Sequence, residues 1–283
     1  MRNIIIMALS VLLCSSAIAQ VSIPIPSQTE INNLLKGKTY VVLENALFSD
    51  YNDIITATVE KHWSLNSFEF IKISDFEAKR KETNASFLMI NQVSFYADKT
   101  KTKFDFLVLI AGGKYKSVNE MPLLCMVPMC YDGVDEAIWT NKIPIAVKFI
   151  QKHINTVKSN SKINSKNVVD FYLQNAENIS GKTLYLTKNQ VEPSLKSESN
   201  FKKIYPYSFK FVSDEDLNKI LEAEDENALI LHIVSPTKNT QANKCIKMIV
   251  NPHTAQIYYY DMHNIGKNKP AKLLEKDLKK LIK

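Results

Sequence analysis

The chain repeats itself, and this internal similarity constrains its fold more than any single motif does. Gly37-Lys38-Thr39 recurs 144 residues later as Gly181-Lys182-Thr183. Residues 63–113 then align without a gap with residues 204–254, at an offset of 141. The identical pairs include Ser67 with Ser208, Phe68 with Phe209, Phe70 with Phe211 and Lys103 with Lys244. Because extended self-similarity marks duplicated structural units, we predict two copies of one domain in tandem.

Each copy predicts the same order of elements. Ser27 and Glu30 form a capping box before the first helix, and Pro144 opens a closing helix. Gly37 and Gly181 fall at helix ends, where a left-handed residue is favoured. Strands are predicted over residues 39–43, 68–73, 87–95 and 104–110, with a fifth ending at Tyr131, and over residues 183–186 in copy two. We expect an α+β protein of two tandem similar domains, each a mixed β-sheet with packed helices in the order α-β-α-β-α-β-β-β-α.

The amino-terminal residues have the layout of a secretory signal peptide. Arg2 precedes an apolar run, and small residues end at Ala17-Ile18-Ala19. Cleavage after Ala19 predicts export, most simply to a bacterial periplasm. Lipid attachment at Cys14 is the less favoured alternative, because the bulky Leu13 precedes it. The predicted divisions are a signal peptide over residues 1–19, repeat domain 1 over residues 20–158, a linker over residues 159–167 and repeat domain 2 over residues 168–283.

Composition excludes several classes of partner. The 36 basic residues comprise 34 lysines and two arginines, and only six residues are glycine. Arginine forks that read bases, and glycine-rich loops that hold phosphates, are therefore not expected. No segment after the signal peptide approaches the roughly 18 apolar residues of a spanning helix. The spread lysines indicate a solvated surface, with peripheral contact to anionic membranes or acidic partners as the alternative.

One succession of motifs suggests a family. The strand and helix start in Phe68-Glu69-Phe70-Ile71-Lys72-Ile73-Ser74-Asp75-Phe76 is followed by Asn84-Ala85-Ser86-Phe87-Leu88-Met89-Ile90, a turn that opens an apolar strand. This pattern resembles the amino-terminal domain of TolB and the related CsgG and LpoB-like envelope proteins. The resemblance implies a non-catalytic envelope module that binds protein partners, and it carries over no functional residue.

The copies differ most between Gly113 and Tyr131. Because Tyr131-Asp132 is taken to correspond to Tyr260-Asp261, copy one has about 12 additional residues there. This insertion includes the apolar, methionine-rich residues 121–130. Methionine side chains adapt to irregular contacts, so we predict a partner-binding surface there. The alternative is a mostly buried fifth strand with a longer turn. The predicted partner-binding residues are Met121, Leu123, Leu124, Met126 and Met129.

No pattern indicates a catalytic, cofactor or metal site. The five histidines lack metal-ligand spacing, and residues 132–136 lack the alternating ligands of a calcium loop. A straight strand would separate Cys125 from Cys130 by about 16 Å, so we expect separate buried thiols; a disulfide would require Pro128 to reverse the chain. Cys245 is predicted to be a core residue. The histidines in question are His62, His153, His232, His253 and His263.

These inferences lead to one functional expectation and one competitor. We expect an exported, non-catalytic binding or scaffold protein of the cell envelope, which contacts protein partners through an exposed edge strand or the insertion. The competing hypothesis is a small-ligand receptor or hydrolytic enzyme with its site in the groove between the domains. A groove that collects titratable groups from both copies would favour the competitor.

Overall fold

The computed structural model describes residues 23–46, 48–94, 102–223, 225–236 and 244–283, so the predicted signal peptide and Cys14 lie outside the described residues. The first half contains α1 (Gln28–Lys36), β1 (Lys38–Leu43), α2 (Asp50–His62), β2 (Ser67–Lys72), α3 (Ile73–Lys79), β3 (Ala85–Ser94), β4 (Lys103–Ala111), β5 (Leu123–Tyr131), α4 (Glu136–Trp139) and α5 (Ile143–Ser159). The second half contains α6 (Val168–Leu173), β6 (Thr183–Leu186), α7 (Glu198–Ile204), β7 (Ser208–Phe211), α8 (Asp214–Glu222), β8 (Ala228–Val234), β9 (Lys244–Val250), β10 (Ile257–Asn264) and α9 (Glu275–Leu281). The predicted α+β order is confirmed, with the short α4 as an addition.

Both halves arrange their strands in the same way. The first sheet has the order β2-β1-β3-β4-β5, and the second has the equivalent order β7-β6-β8-β9-β10. In each sheet the first three strands are parallel and the last two are added antiparallel. The second strand of each half, β2 or β7, therefore lies at a sheet edge.

Gly37 and Gly181 were predicted to be left-handed residues at helix ends, but the structure gives them other roles. Gly37 caps α1 with a φ of −93°, which is not left-handed. A Cβ on Gly37 would lie 1.9 Å from the backbone oxygen of Asn84. Close approach of the chain before β3 therefore requires glycine at this position. Gly181 has nothing within 4 Å of such an atom, so its place at a helix end is not sterically demanded.

The gapless alignment of the two copies fails at one helix. The residues before α3 and α8, Lys72 and Ser213, are 141 positions apart, but the residues after them, Arg80 and Ala223, are 143 apart. Helix α8 is thus two residues longer than α3, with nine residues against seven. A two-residue shift preserves the alternation of strand side chains, so the apolar faces of the third strands still match.

The central strand of the second sheet, β8, is buried on both faces. Leu229 and Leu231 on β8 join the apolar layer beneath the helices of the second half. The alternate residues Ile230 and Val234 instead join a cluster that extends through the first half. Polar contacts also cross between the halves, including His232 Nε2 with the carbonyl oxygen of Pro128 at 2.7 Å. The two repeats therefore share one core.

Candidate functional site

The predicted partner-binding residues lie largely inside the molecule. Met121, Leu124 and Met129 are buried, which makes them unavailable to an external partner in this conformation. Leu123 and Met126 are partly buried and pack against the same core. Strand β5 faces the second repeat, so this segment matches the alternative prediction of a buried fifth strand with a longer turn.

The loop between β4 and β5 spans residues 112–122, which is 11 residues against six (251–256) between β9 and β10. Copy one therefore has about five additional residues here, and the predicted number of about 12 was wrong. Arg80, a buried side chain, donates hydrogen bonds to the carbonyl oxygens of Tyr115 at 2.9 Å and Lys116 at 3.4 Å. Its backbone oxygen accepts from Gly113 at 2.8 Å. Gly113 has a φ of +153°. Arg80 therefore holds the loop in place beside a cleft of about 400 Å³. No sequence pattern indicated this role for the arginine.

The three cysteines in the described residues are free and buried, as predicted for separate thiols. Burial raises the pKa of the Cys125 and Cys130 thiols. A raised thiol pKa lowers the thiolate fraction and with it the reactivity.

Within the described part of the chain, no group of three or more His, Cys, Asp or Glu side chains could hold a metal ion. In the same residues, no helix is long and apolar enough to span a bilayer.

A groove of about 510 Å³ separates the repeats on one side of the molecule. It collects titratable groups from both copies, which is the arrangement that the competing hypothesis requires. Its titratable lining consists of Asp53, Lys61, His62, Lys148 and Glu222. Apolar side chains such as Ile54 and Leu221 form much of the remaining wall.

The most distinctive open surface lies at β7, the edge strand of the second sheet. A groove of about 560 Å³ runs between β7 and α7. Helix α7 has seven residues where the corresponding α2 has 13. The groove is therefore bordered by a helix six residues shorter than its counterpart in the first half.

Aromatic rings form the floor of this groove. Phe209 and Phe211 are half-buried, and their ring centroids are 5.7 Å apart. The buried ring of Phe201 on α7 lies beneath them, 4.5 Å from Phe209 and 5.3 Å from Phe211. Aromatic pairs at these separations stabilise each other beyond simple burial. The floor is therefore a supported apolar surface that remains partly open to solvent.

The backbone of β7 offers unpaired hydrogen-bonding groups along the groove. Val212, just after the strand, donates its N–H to the carbonyl oxygen of Leu186 at 3.0 Å. Successive residues of a strand turn their N–H and C=O groups to opposite sides. Those of Phe209 and Phe211 therefore point away from β6. Among the described residues, β6 is the one strand that pairs with β7, so this edge is open to a further strand.

The charge around the groove is mainly positive. Lys202 and Lys210 line it with a single carboxylate, Glu198. Lys188 Nζ lies 6.0 Å from the centroid of the Phe211 ring. This basic rim is expected to attract acidic groups to the aromatic floor.

The first repeat has a related but differently charged edge. Phe68 and Phe70 on β2 repeat the aromatic pair, with ring centroids 5.6 Å apart. Glu69, whose side chain is on the opposite face of the strand from these rings, forms an ion pair with Lys38 at 2.9 Å. The sequence showed the repeated Ser-Phe-x-Phe, but the edge position could not be inferred because neither copy fixed the strand order.

Comparisons of the chain with models of protein families, with curated proteins and with solved structures find no match in any of the three.

Proposed function

We propose that this chain is an exported, non-catalytic binding protein of the bacterial cell envelope. It holds a protein partner by adding an extended segment of that partner to edge strand β7. The observation that carries the proposal is the open backbone edge of β7 beside two half-buried phenylalanine rings. The secretory pattern of residues 1–19 and the resemblance to TolB-type envelope domains support the location.

Strand addition explains why these groups occur together. Outward N–H and C=O groups at Phe209 and Phe211 supply main-chain hydrogen bonds, while the rings receive apolar side chains of the added strand. Lys210, whose side chain is on the opposite face of the strand from the rings, discourages edge-to-edge pairing with a second copy, because like charges would face each other. A partner segment with acidic residues beside apolar ones fits this edge.

Substitution of the aromatic floor tests the proposal. A Phe209→Ala/Phe211→Ala variant should lose the partner that co-purifies with the wild-type protein from envelope extracts. The matched Phe68→Ala/Phe70→Ala variant, altered at the other edge, should retain it. Equal retention by both variants would refute binding at β7, provided that circular dichroism shows both to be folded.

The groove between the repeats supports a second candidate, a small-ligand receptor or hydrolytic enzyme. The specific observation is that Asp53 and Glu222, one from each repeat, line the same groove. If this function is correct, Asp53→Asn/Glu222→Gln should abolish ligand-induced thermal stabilisation in a metabolite screen. A screen without any stabilising compound would count against it.

A further inference from the structure

A buried charged cluster distinguishes the second repeat from the first. Lys247 on β9 and Asp277 on α9 have no exposed side-chain surface, and Lys247 Nζ contacts Asp277 Oδ2 directly. Asp261 on β10 lies opposite Lys247 in the strand register. Its Oδ2 is 3.6 Å from Lys247 Nζ. In the first repeat, residues 106–110 of the equivalent strand β4 are all apolar and buried, so the shared fold does not require these charges.

Further groups hold the Asp277 carboxyl in a fixed position. The Tyr259 hydroxyl donates to Oδ1 at 2.9 Å, and the backbone N–H of Leu274 donates to Oδ2 at 2.8 Å. Asp261 Oδ2, the oxygen that lies near Lys247 Nζ, is buried and accepts no hydrogen bond. A buried ion pair of this kind is often no better for stability than apolar residues of similar volume. The arrangement therefore invites a chemical explanation.

We propose that Lys247 and Asp277 become joined by an intramolecular amide bond between Nζ and Cγ, formed by the folded chain itself. The cluster contains the three groups that this condensation needs: an amine, a carboxyl in contact with it, and a second carboxylate beside the amine. Lys247 and Asp277 are fully buried between the second sheet and α9, and the side chain of Asp261 is 22% exposed. The proposal is independent of the binding function at β7.

The reaction balances without any co-reactant. One proton of the Lys247 ammonium first passes to Asp277 Oδ1 through Asp261 and the hydroxyl of Tyr259, which leaves a neutral amine and a carboxylic acid protonated at the oxygen that will depart. Nζ then attacks Cγ, and Asp261 accepts the second proton that leaves the nitrogen. This proton returns to Oδ1 through the hydroxyl of Tyr259, which interacts with both carboxylates.

Collapse of the intermediate completes the bond. Oδ1 leaves as water, while Oδ2 remains as the amide oxygen. The Leu274 N–H stabilises the negative charge that Oδ2 carries in the tetrahedral intermediate. One C–N bond forms, one C–O bond breaks, and no atom is oxidised or reduced. The product ties the short helix α9 covalently to strand β9 of the second sheet.

Mass spectrometry of the purified, denatured protein tests this directly. The wild-type mass should be lower than the sequence mass by one water molecule, and digestion should yield a branched peptide that contains both Lys247 and Asp277. A succinimide at Asp132-Gly133 would give the same mass loss, but it would not give the branched peptide. A full sequence mass with unmodified Lys247 in a linear peptide would overturn the proposal.

Two variants separate chemistry from packing. Lys247→Met removes the nucleophile, so the measured mass of this variant should equal the mass calculated from its sequence, with no water lost. Asp261→Asn keeps Lys247 and Asp277 but removes the base, so we expect the protein to fold while the branched peptide falls at least tenfold. If Asp261→Asn forms the branched peptide as completely as the wild type, the proposed role of Asp261 is wrong. Because the wild-type measurement is decisive alone, a variant that fails to fold does not leave the bond untested.

Discussion

Single residues decide the chemistry of this molecule more than composition suggests. The high lysine content predicts that the lysine side chains cover a solvated surface, and most of them are exposed. Lys247, in contrast, is fully buried. Sequence pattern could not identify it, because its partners Asp261 and Asp277 come from different elements. Local signals did succeed where the cause was local: the capping box of Ser27 and Glu30 is present as predicted.

Charge reversal at the β7 groove should change the choice of partner. Lys202→Glu/Lys210→Glu places acidic groups where the basic rim now lies. We expect at least tenfold weaker binding of extended acidic peptides and a gain for basic ones, measured by fluorescence anisotropy on a peptide panel at two salt concentrations. Unchanged preference would show that the rim takes no part in recognition.

Two buried histidines should make the protein acid-sensitive. Burial lowers the pKa of His153 and His232 to about 4, so the folded state binds their protons less readily than the unfolded state does. Stability should therefore be retained above the ordinary histidine pKa of about 6.5 and lost as the pH falls from there towards 4. Each histidine should contribute a loss on the order of 3 kcal/mol.

Urea denaturation at several pH values would measure this effect. His232→Gln should flatten the fall in unfolding free energy between neutral and acid pH, and the double variant with His153→Gln should flatten it further. A slope that is the same in the wild type and both variants would assign the acid sensitivity to other groups.

At the scale of elements, most of the order of helices and strands along the chain could be predicted, but which strands pair with each other could not. Alternation and turn residues located the strands to within a few positions, and the fifth strand ends at Tyr131 as predicted. Equivalence of Tyr131 with Tyr260 was wrong. Tyr131 lies opposite Phe104 at a strand end, whereas Tyr260 lies opposite Met248 within its strand. A short identical pair does not report register, since register is set by partner strands distant in sequence.

The two glycines of the repeated Gly-Lys-Thr motif occupy different surroundings, so their substitutions should have different effects. Gly37→Ala places a Cβ against the backbone oxygen of Asn84 and should cost about 1–3 kcal/mol of unfolding free energy through overpacking. Gly181→Ala meets no neighbouring atom and should change stability by less than about 0.5 kcal/mol. Urea unfolding of both variants checks this, and equal effects would contradict the steric explanation.

At the scale of the whole molecule, the two copies behave as one packed body. Ile230, Met248 and Val250 of the second sheet belong to the cluster that fills the first half. The sequence predicted tandem repeats but could not show this, because periodicity identifies an apolar face without naming what covers it. Packing of one sheet against the neighbouring repeat also explains why the methionine-rich segment of β5 is buried.

The shared core predicts cooperative unfolding. Calorimetry of residues 20–283 should show a single transition, and a fragment of residues 168–283 should aggregate or remain unfolded, because it would expose the apolar face that the first repeat covers. Two separate transitions, or a stable monomeric fragment, would indicate independent domains.

Photo-crosslinking in intact cells tests binding at β7 most directly. A photoreactive side chain would replace exposed Ser208 on β7, with matched probes at Ser67 on β2 and at Lys114 in the insertion loop. We predict one major protein adduct from position 208 that disappears in the Phe209→Ala/Phe211→Ala background and persists in the Phe68→Ala/Phe70→Ala background. No adduct from position 208, together with a strong adduct from position 114, would contradict binding at this edge.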